Sequence, residues 1–289
     1  MVLRAVMRRR SQGGSATPDH LPLGHALVLG LIQGPTELLP VSSSAHMSLI
    51  GMIARWPYAE LDPQFRKAFE VSVHAAAGLA LAVELRGDLI HEALHVDGRR
   101  ASVIALSLAP AALAGLAFHG VIERRLGGPR SIAAGLTAGS LAMALAELRH
   151  PPGTRRRTDA RALDGLSLGL AQAAALMPGV SRSGATLTAA HLRGFSRGEA
   201  QALSWHAALP VILGASLLTG ARLARGGLPH RERAALATGA SCAFVSTLAS
   251  AGHLRAGESR RTLLGFCVYR CLLALAVMRR LRATPKGWG

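Results

Sequence analysis

Six stretches of this chain are apolar over roughly 20 residues, the length that crosses the hydrocarbon core of a bilayer. They cover about 68–86, 102–122, 131–148, 200–223, 234–252 and 263–281. A chain built this way has few folds open to it. Inside a bilayer no water satisfies backbone N–H and C=O groups, so each run must form a helix whose hydrogen bonds close within itself. Composition agrees: 50% of residues are hydrophobic and only 17% charged, with a mean hydropathy of +0.30. That balance places the chain among polytopic membrane proteins. The apolar residues are mostly Ala, Leu, Val and Gly, whose small members let membrane helices approach closely.

Two further apolar regions do not read as simple spans. The first, 22–54, is too long for one crossing and is interrupted by Pro35 and Pro40. The second, 163–195, is interrupted by Pro178, Gly179 and Gly184 and carries Arg182. Each reads as two short helices around an irregular turn, which is tolerated at membrane depth only when buried in protein or lining a wet cavity. The regions also match one another. Laid so that Ser42 meets Ser181, Leu29, Gly30, Leu31, Gln33, Val41 and Ser44 fall on Leu168, Gly169, Leu170, Gln172, Val180 and Ser183 without a gap. The expectation is an all-α polytopic membrane protein of two inverted-topology repeats. Each repeat holds one broken re-entrant hairpin, and about six full spans complete the fold. The repeats would cover 22–150 and 151–289, dividing in the polar stretch His150–Arg161. Residues 1–21 read as a polar, basic extension without the apolar core of a cleaved signal.

Lysine and arginine number 33 against 16 acidic residues, a formal net charge of +17. The positive residues lie mostly between apolar runs, as in Arg155–Arg157, which suits loops against anionic lipid. Aromatic residues make up only 4% of the chain. Without aromatics interleaved among the cations, no nucleic-acid partner is expected. Cys242, Cys267 and Cys271 lack metal-ligand spacing and read as small buried apolar residues.

The chemistry concentrates in the two broken regions. Gln33 and Glu37 share a helix face, and a carboxylate with an amide oxygen can hold a hard cation such as Mg²⁺ or Ca²⁺. Pro40 ends that helix, and Ser42, Ser43 and Ser44 follow as hydroxyl and N–H donors. His46, three residues beyond Ser43, is expected within reach of it as an acid or base. The second region reads as an anion trap. Gly179 and Gly184 allow close approach, Ser181, Ser183 and Thr186 supply hydroxyls, and Arg182 supplies a rigid fork that fits phosphate. A helix starting near Ser183 would add free N–H groups. An arginine inside a membrane costs at least about 2.5 kcal/mol, so Arg182 needs an anion, either Glu37 or a bound phosphate. Glu70 reads as a helix-start residue favoured by the dipole. His74 faces a cavity or is a satisfied buried histidine, and His191 and His206 have no evident partner.

The segments QGPTELLPVSSSAH (Gln33–His46) and PGVSRSGAT (Pro178–Thr186) resemble the two signatures of the undecaprenyl-diphosphatase family, membrane enzymes associated with bacitracin resistance. FEVSVHAAAGLALAVELRGDL and GFCVYRCLLALAVM resemble its third helix region and its closing helix, so the resemblance covers most of the chain from about residue 22. It implies hydrolysis of undecaprenyl diphosphate to the monophosphate and phosphate, which recycles the lipid carrier of peptidoglycan synthesis. It also implies a divalent cation, a bacterial inner (plasma) membrane location and an active site open to the periplasmic side. By motif position, Glu37 becomes a metal- or phosphate-site group. Ser43 becomes the nucleophilic or phosphate-contacting hydroxyl, and His46 the acid/base or the nucleophile itself. Ser181 and Arg182 become the phosphate-binding pair, and Thr186 closes that motif; Ser42, Ser44 and Ser183 are further phosphate contacts expected from the residue pattern itself. The chain departs from the family pattern at four positions. Gln33 stands for the usual first Glu, Ala45 for Gly, His74 for Gln, and His206 for an apolar residue. Membrane lipid is a further expected partner, and a homodimer stays open. The rival readings are a transporter or flippase of polyprenyl phosphate lipids, which shares this architecture, and a structural scaffold.

Overall fold

A computed structural model describes residues 21–54, 56–149, 153–224, 230–256 and 263–283. Apart from Leu21, the expected N-terminal extension lies outside the described residues, as do residues 150–152 of the stretch expected to divide the halves. Eleven α-helices account for most of the described chain. They are α1 (Leu23–Leu38), α2 (Ser43–Ile53), α3 (Pro63–Glu84), α4 (Arg86–Leu94), α5 (Gly98–Val121), α6 (Pro129–Arg149), α7 (Ala162–Ala174), α8 (Arg182–Leu192), α9 (Arg197–Ala224), α10 (His230–Ala256) and α11 (Leu264–Ala283). Among the described residues the only β-structure is a single bridge between Arg155 and Phe195.

Among the described residues, four helices contain segments long and apolar enough to cross a membrane: Gly98–Phe118, Pro129–Arg149, Arg197–Ala221 and Glu232–Leu254. The bent pair α3 and α4, turned through 68°, would add a fifth crossing. The apolar run at 263–281 forms α11, which carries Arg270, Arg279 and Arg280. The molecule is thus all-helical and multi-pass. Large apolar side chains such as Leu113, Leu116 and Leu217 are exposed on the spans, as a lipid-facing surface requires. The α3 start is set by Asp62, whose Oδ1 accepts from the N–H groups of Gln64 (2.9 Å) and Phe65 (3.0 Å). Glu70, expected at a helix start, therefore lies two turns inside α3.

The broken regions pack across the chain. From the first half, α1 lies on α10 of the second, and from the second half, α7 lies on α5 of the first. Small residues permit both approaches. A methyl group on Gly34 would come within 2.4 Å of the Ser246 backbone, and one on Gly169 within 2.2 Å of the Leu106 carbonyl oxygen. Leu29, Phe65, Phe69, Val73 and Ala243 fill the core where α1, α3 and α10 meet.

Overpacking such a contact costs about 1–3 kcal/mol. Gly34→Leu should therefore lower the thermal unfolding midpoint of detergent-solubilised protein by several degrees. Gly115→Ala, on α5 with nothing within 4 Å of the added methyl, should leave the midpoint unchanged or raise it.

Candidate active site

Both breaks are built alike. Helix α1 stops because Pro40 pushes Leu39 into an extended conformation, with φ −83° and ψ 155°. The chain then turns through Ser42 at φ 74°. Ser42 caps α2 by accepting the Ala45 N–H at 3.4 Å. In the second break Gly179 takes φ 92° and Ser181 φ 72°, and Ser181 caps α8 by accepting the Gly184 N–H at 3.2 Å. In the register that lays Ser42 on Ser181, α2 and α8 cover the same positions. A serine at positive φ is strained by about 1–3 kcal/mol, and its cap offsets roughly 1 kcal/mol of that. Because the positive φ falls on Ser42, Ala45 sits inside α2 and strains nothing by replacing Gly.

The breaks are tied together by a residue the sequence reading passed over. Arg270, on α11, has no exposed surface. Its Nη1 donates to the Pro40 carbonyl at 3.0 Å. Its Nη2 donates to the carbonyls of Gly179 (3.0 Å), Val180 (2.7 Å) and Leu136 (3.3 Å). Ser183 Oγ adds a direct link by donating to the Leu39 carbonyl at 2.7 Å. The available signal was the cost of an arginine in the middle of an apolar run.

On the other side of the breaks, the first turns of α2 and α8 meet α3 and α9 around a cavity of about 340 Å³. Glu37 Oε1 accepts from Arg182 Nη2 at 2.8 Å. Glu37 Oε2 accepts from Ser43 Oγ at 2.6 Å and from Gln33 Nε2 at 3.2 Å. His74, from α3, brings Nε2 to 3.4 Å from Ser43 Oγ and 3.6 Å from Glu37 Oε2. Arg182 Nη1 is buried and finds no hydrogen-bond partner among the described residues. Ser42, Ser44, Ser181, Ser183 and Lys67 also line the space. Two helix N-termini, a guanidinium and an ammonium make this a receptor for a multiply charged anion.

Two expected residues lie elsewhere. Thr186 has no exposed surface and does not line the cavity. Its hydroxyl bonds back to the Arg182 carbonyl at 2.9 Å and meets Ser204 Oγ at 2.7 Å. His46 is turned to the α11 side of α2. Its Nδ1 donates to the Ser42 carbonyl at 2.8 Å, and its Nε2 accepts from the Tyr269 hydroxyl at 2.6 Å. Those two bonds hold the ring in a separate, mostly apolar groove with Ile32, Leu49 and Phe266. His74 stands beside Ser43, where His46 was expected.

The family model for the bacitracin resistance protein BacA matches residues 26–276. The chain belongs to the BacA family. It is similar to the undecaprenyl-diphosphatase of Geobacter sulfurreducens, 38% identical over 272 residues, covering 90% of this chain and 98% of that protein. It is also similar to those of Pelobacter propionicus, at 35% with 88% and 95% covered, and Thermomicrobium roseum, at 36% with 88% and 96% covered. The BacA match includes both breaks, His74 and Arg270.

The residues of this chain's cavity do not fit a resident divalent cation. Gln33 has no exposed surface and turns its amide N–H toward Glu37. Its Oε1 has no hydrogen-bond partner among the described residues, but it is a single neutral donor. Both Glu37 oxygens are engaged, and the Arg182 guanidinium stands where a cation would pair with them. Among the described residues no group of three His, Cys, Asp or Glu is placed to hold a metal, and one carboxylate is too few for a hard-cation cage.

Removing Arg270 strands carbonyls at both breaks, each worth about 1–3 kcal/mol when buried without a donor. Arg270→Leu should sharply lower folded yield and thermal stability. Arg270→Lys should also lose stability, since one ammonium lacks the fork that reaches both breaks. Arg279→Leu, at an exposed position of the same helix, should change neither, as read by size-exclusion chromatography and thermal unfolding.

Proposed function

We propose that this chain hydrolyses undecaprenyl diphosphate to undecaprenyl phosphate and inorganic phosphate, with Ser43 as the attacking hydroxyl. The observation that carries this reading is the Glu37–Arg182 pair, at 2.8 Å, in a cavity flanked by two helix N-termini. The terminal phosphate displaces Glu37 from part of Arg182 and takes the unpaired Nη1 donor. N–H groups at the starts of α2 and α8, with the hydroxyls of Ser44 and Ser181, hold its remaining oxygens. Charge moves onto the bridging oxygen as the bond breaks, and the same donors stabilise it there. Glu37 keeps the Ser43 hydroxyl directed at the cavity through their 2.6 Å bond, and Gln33 steadies Glu37 from below. A divalent cation, where one takes part, travels on the diphosphate as part of the substrate. The polyprenyl tail leaves the cavity sideways into lipid.

The shared caps of α2 and α8, and the crossed packing of α1 on α10 and α7 on α5, support two inverted repeats, 22–150 and 151–289. The family and the multi-pass fold support a place in the bacterial plasma membrane, with the site open to its outer face. There the reaction returns the lipid carrier to cell-wall synthesis and confers resistance to bacitracin. A flippase could use the same architecture, but it has no need of a hydroxyl held 2.6 Å from a carboxylate.

Purified protein given undecaprenyl diphosphate should release inorganic phosphate. Ser43→Ala and Glu37→Ala should lose at least about 10²-fold in kcat. Arg182→Ala should lose a similar factor in kcat and raise KM, because it meets both ground and transition states. Full release by Ser43→Ala would remove the nucleophile assignment. Transfer of intact diphosphate across vesicles without phosphate release would favour the flippase.

A further inference from the structure

His74 is the group at this site that the family signatures leave without a role. It lies on α3, outside both broken regions, and its ring has one orientation open to it. Nδ1 is 2.7 Å from the Glu70 carbonyl, an acceptor only, so Nδ1 carries the proton. Nε2 then presents its lone pair to the cavity, 3.4 Å from Ser43 Oγ. The backbone carbonyl thus orients the imidazole as a third group orients the base in other activated-hydroxyl sites.

We infer that His74 is the catalytic base that takes the Ser43 proton, and that Glu37 stabilises the imidazolium so formed. This rests on the reading of Ser43 as the attacking hydroxyl. Glu37 Oε2 is nearer to that hydroxyl, at 2.6 Å, but it is also bonded to Gln33 and its carboxylate is paired with Arg182. Each of those partners occupies a lone pair that an incoming proton would need. An imidazole titrates closer to neutral pH than a carboxylate does, which suits proton transfer in both directions. Once protonated, Nε2 lies 3.6 Å from Glu37 Oε2, where attraction between opposite charges holds it.

The step balances. Ser43 Oγ forms a bond to the terminal phosphorus, and its proton passes to His74 Nε2. The bond from that phosphorus to the bridging oxygen breaks, and undecaprenyl phosphate leaves with the electron pair. Water then attacks the phosphoserine. By then His74 has passed its first proton to the departing undecaprenyl phosphate, so it takes one water proton as the new P–O bond forms and gives that proton to Ser43 Oγ as phosphate departs.

The charged and titratable groups that face His74 are Glu37 from α1 and Arg182 from α8, with Lys67 and Glu70 of α3 itself lining the same cavity. The α9 wall offers Val211, Ile212, Ala215, Ser216 and Thr219, none of which titrates near neutral pH. On the opposite side of α3, α10 packs apolar Ala235 and Ala243 near Phe69 and Val73.

The test measures phosphate release from undecaprenyl diphosphate by the full-length protein across roughly pH 5–9. Wild type should slow on the acid side. His74→Ala should bind a methylene-bridged diphosphate analogue as wild type does, lose about 10²–10⁴-fold in kcat, and lack that acid limb. His74→Ala with kcat within about threefold of wild type and an unchanged acid limb overturns the inference. If Ser43→Ala is inactive in the same assay, the nucleophile reading survives that failure; if Ser43→Ala is active, both fall. The unmodified protein supplies a second reading, since a wild-type rate that stays flat through the acid range also overturns the role of His74.

Discussion

A guanidinium with no exposed surface holds the two interruptions of this protein in register. Backbone that leaves helical geometry at membrane depth frees carbonyl and N–H groups that lipid cannot satisfy. Arg270 gathers the carbonyls from Pro40, Gly179 and Val180 on one side of the breaks. The starts of α2 and α8, where N–H groups are left without helical partners, line the cavity on the other side. Each break therefore sorts its own polarity. Negative ends of backbone dipoles surround a buried cation, and positive ends surround a space made for an anion.

This sorting explains how one motif geometry serves two chemical roles. Ser42 and Ser181 are matching caps, and the residues after them are Ser43 and Arg182. Equivalent first positions of two facing helices thus carry a hydroxyl in one case and a guanidinium in the other. Glu37 bridges them, with one oxygen on each. At rest the pair is internally neutral, which makes burial of both charges tolerable. An entering phosphate competes for the guanidinium and leaves the hydroxyl pointed at phosphorus.

How much of this was legible depended on the range of the forces involved. Pro40 stops a helix by local sterics, so the first break could be read at its residue. The repeated serines marked both caps for the same reason, and an arginine at membrane depth implied an anion such as Glu37. His46 could not be placed this way. Three residues from Ser43 it is within reach by spacing alone, but the Ser42 carbonyl and Tyr269, on a helix far along the chain, hold it in another groove. Thr186 likewise closes onto its own helix and Ser204. His74 reached Ser43 only because α3 packs alongside α1 and α9. Arg270 carried a visible cost but no visible purpose until α11 lay against both breaks.

The sequence alone determined that the chain is helical and membrane-spanning, that two segments break, and which side chains those breaks carry. These follow from hydropathy, proline geometry and backbone bonding, which act within a few residues. The tertiary structure alone decided which imidazole meets the serine, which arginine serves structure and which serves the anion, and that Gln33 supports Glu37 from outside the cavity. Those outcomes hang on contacts between helices distant in sequence, where a few ångströms of packing select one partner among several of the same chemistry.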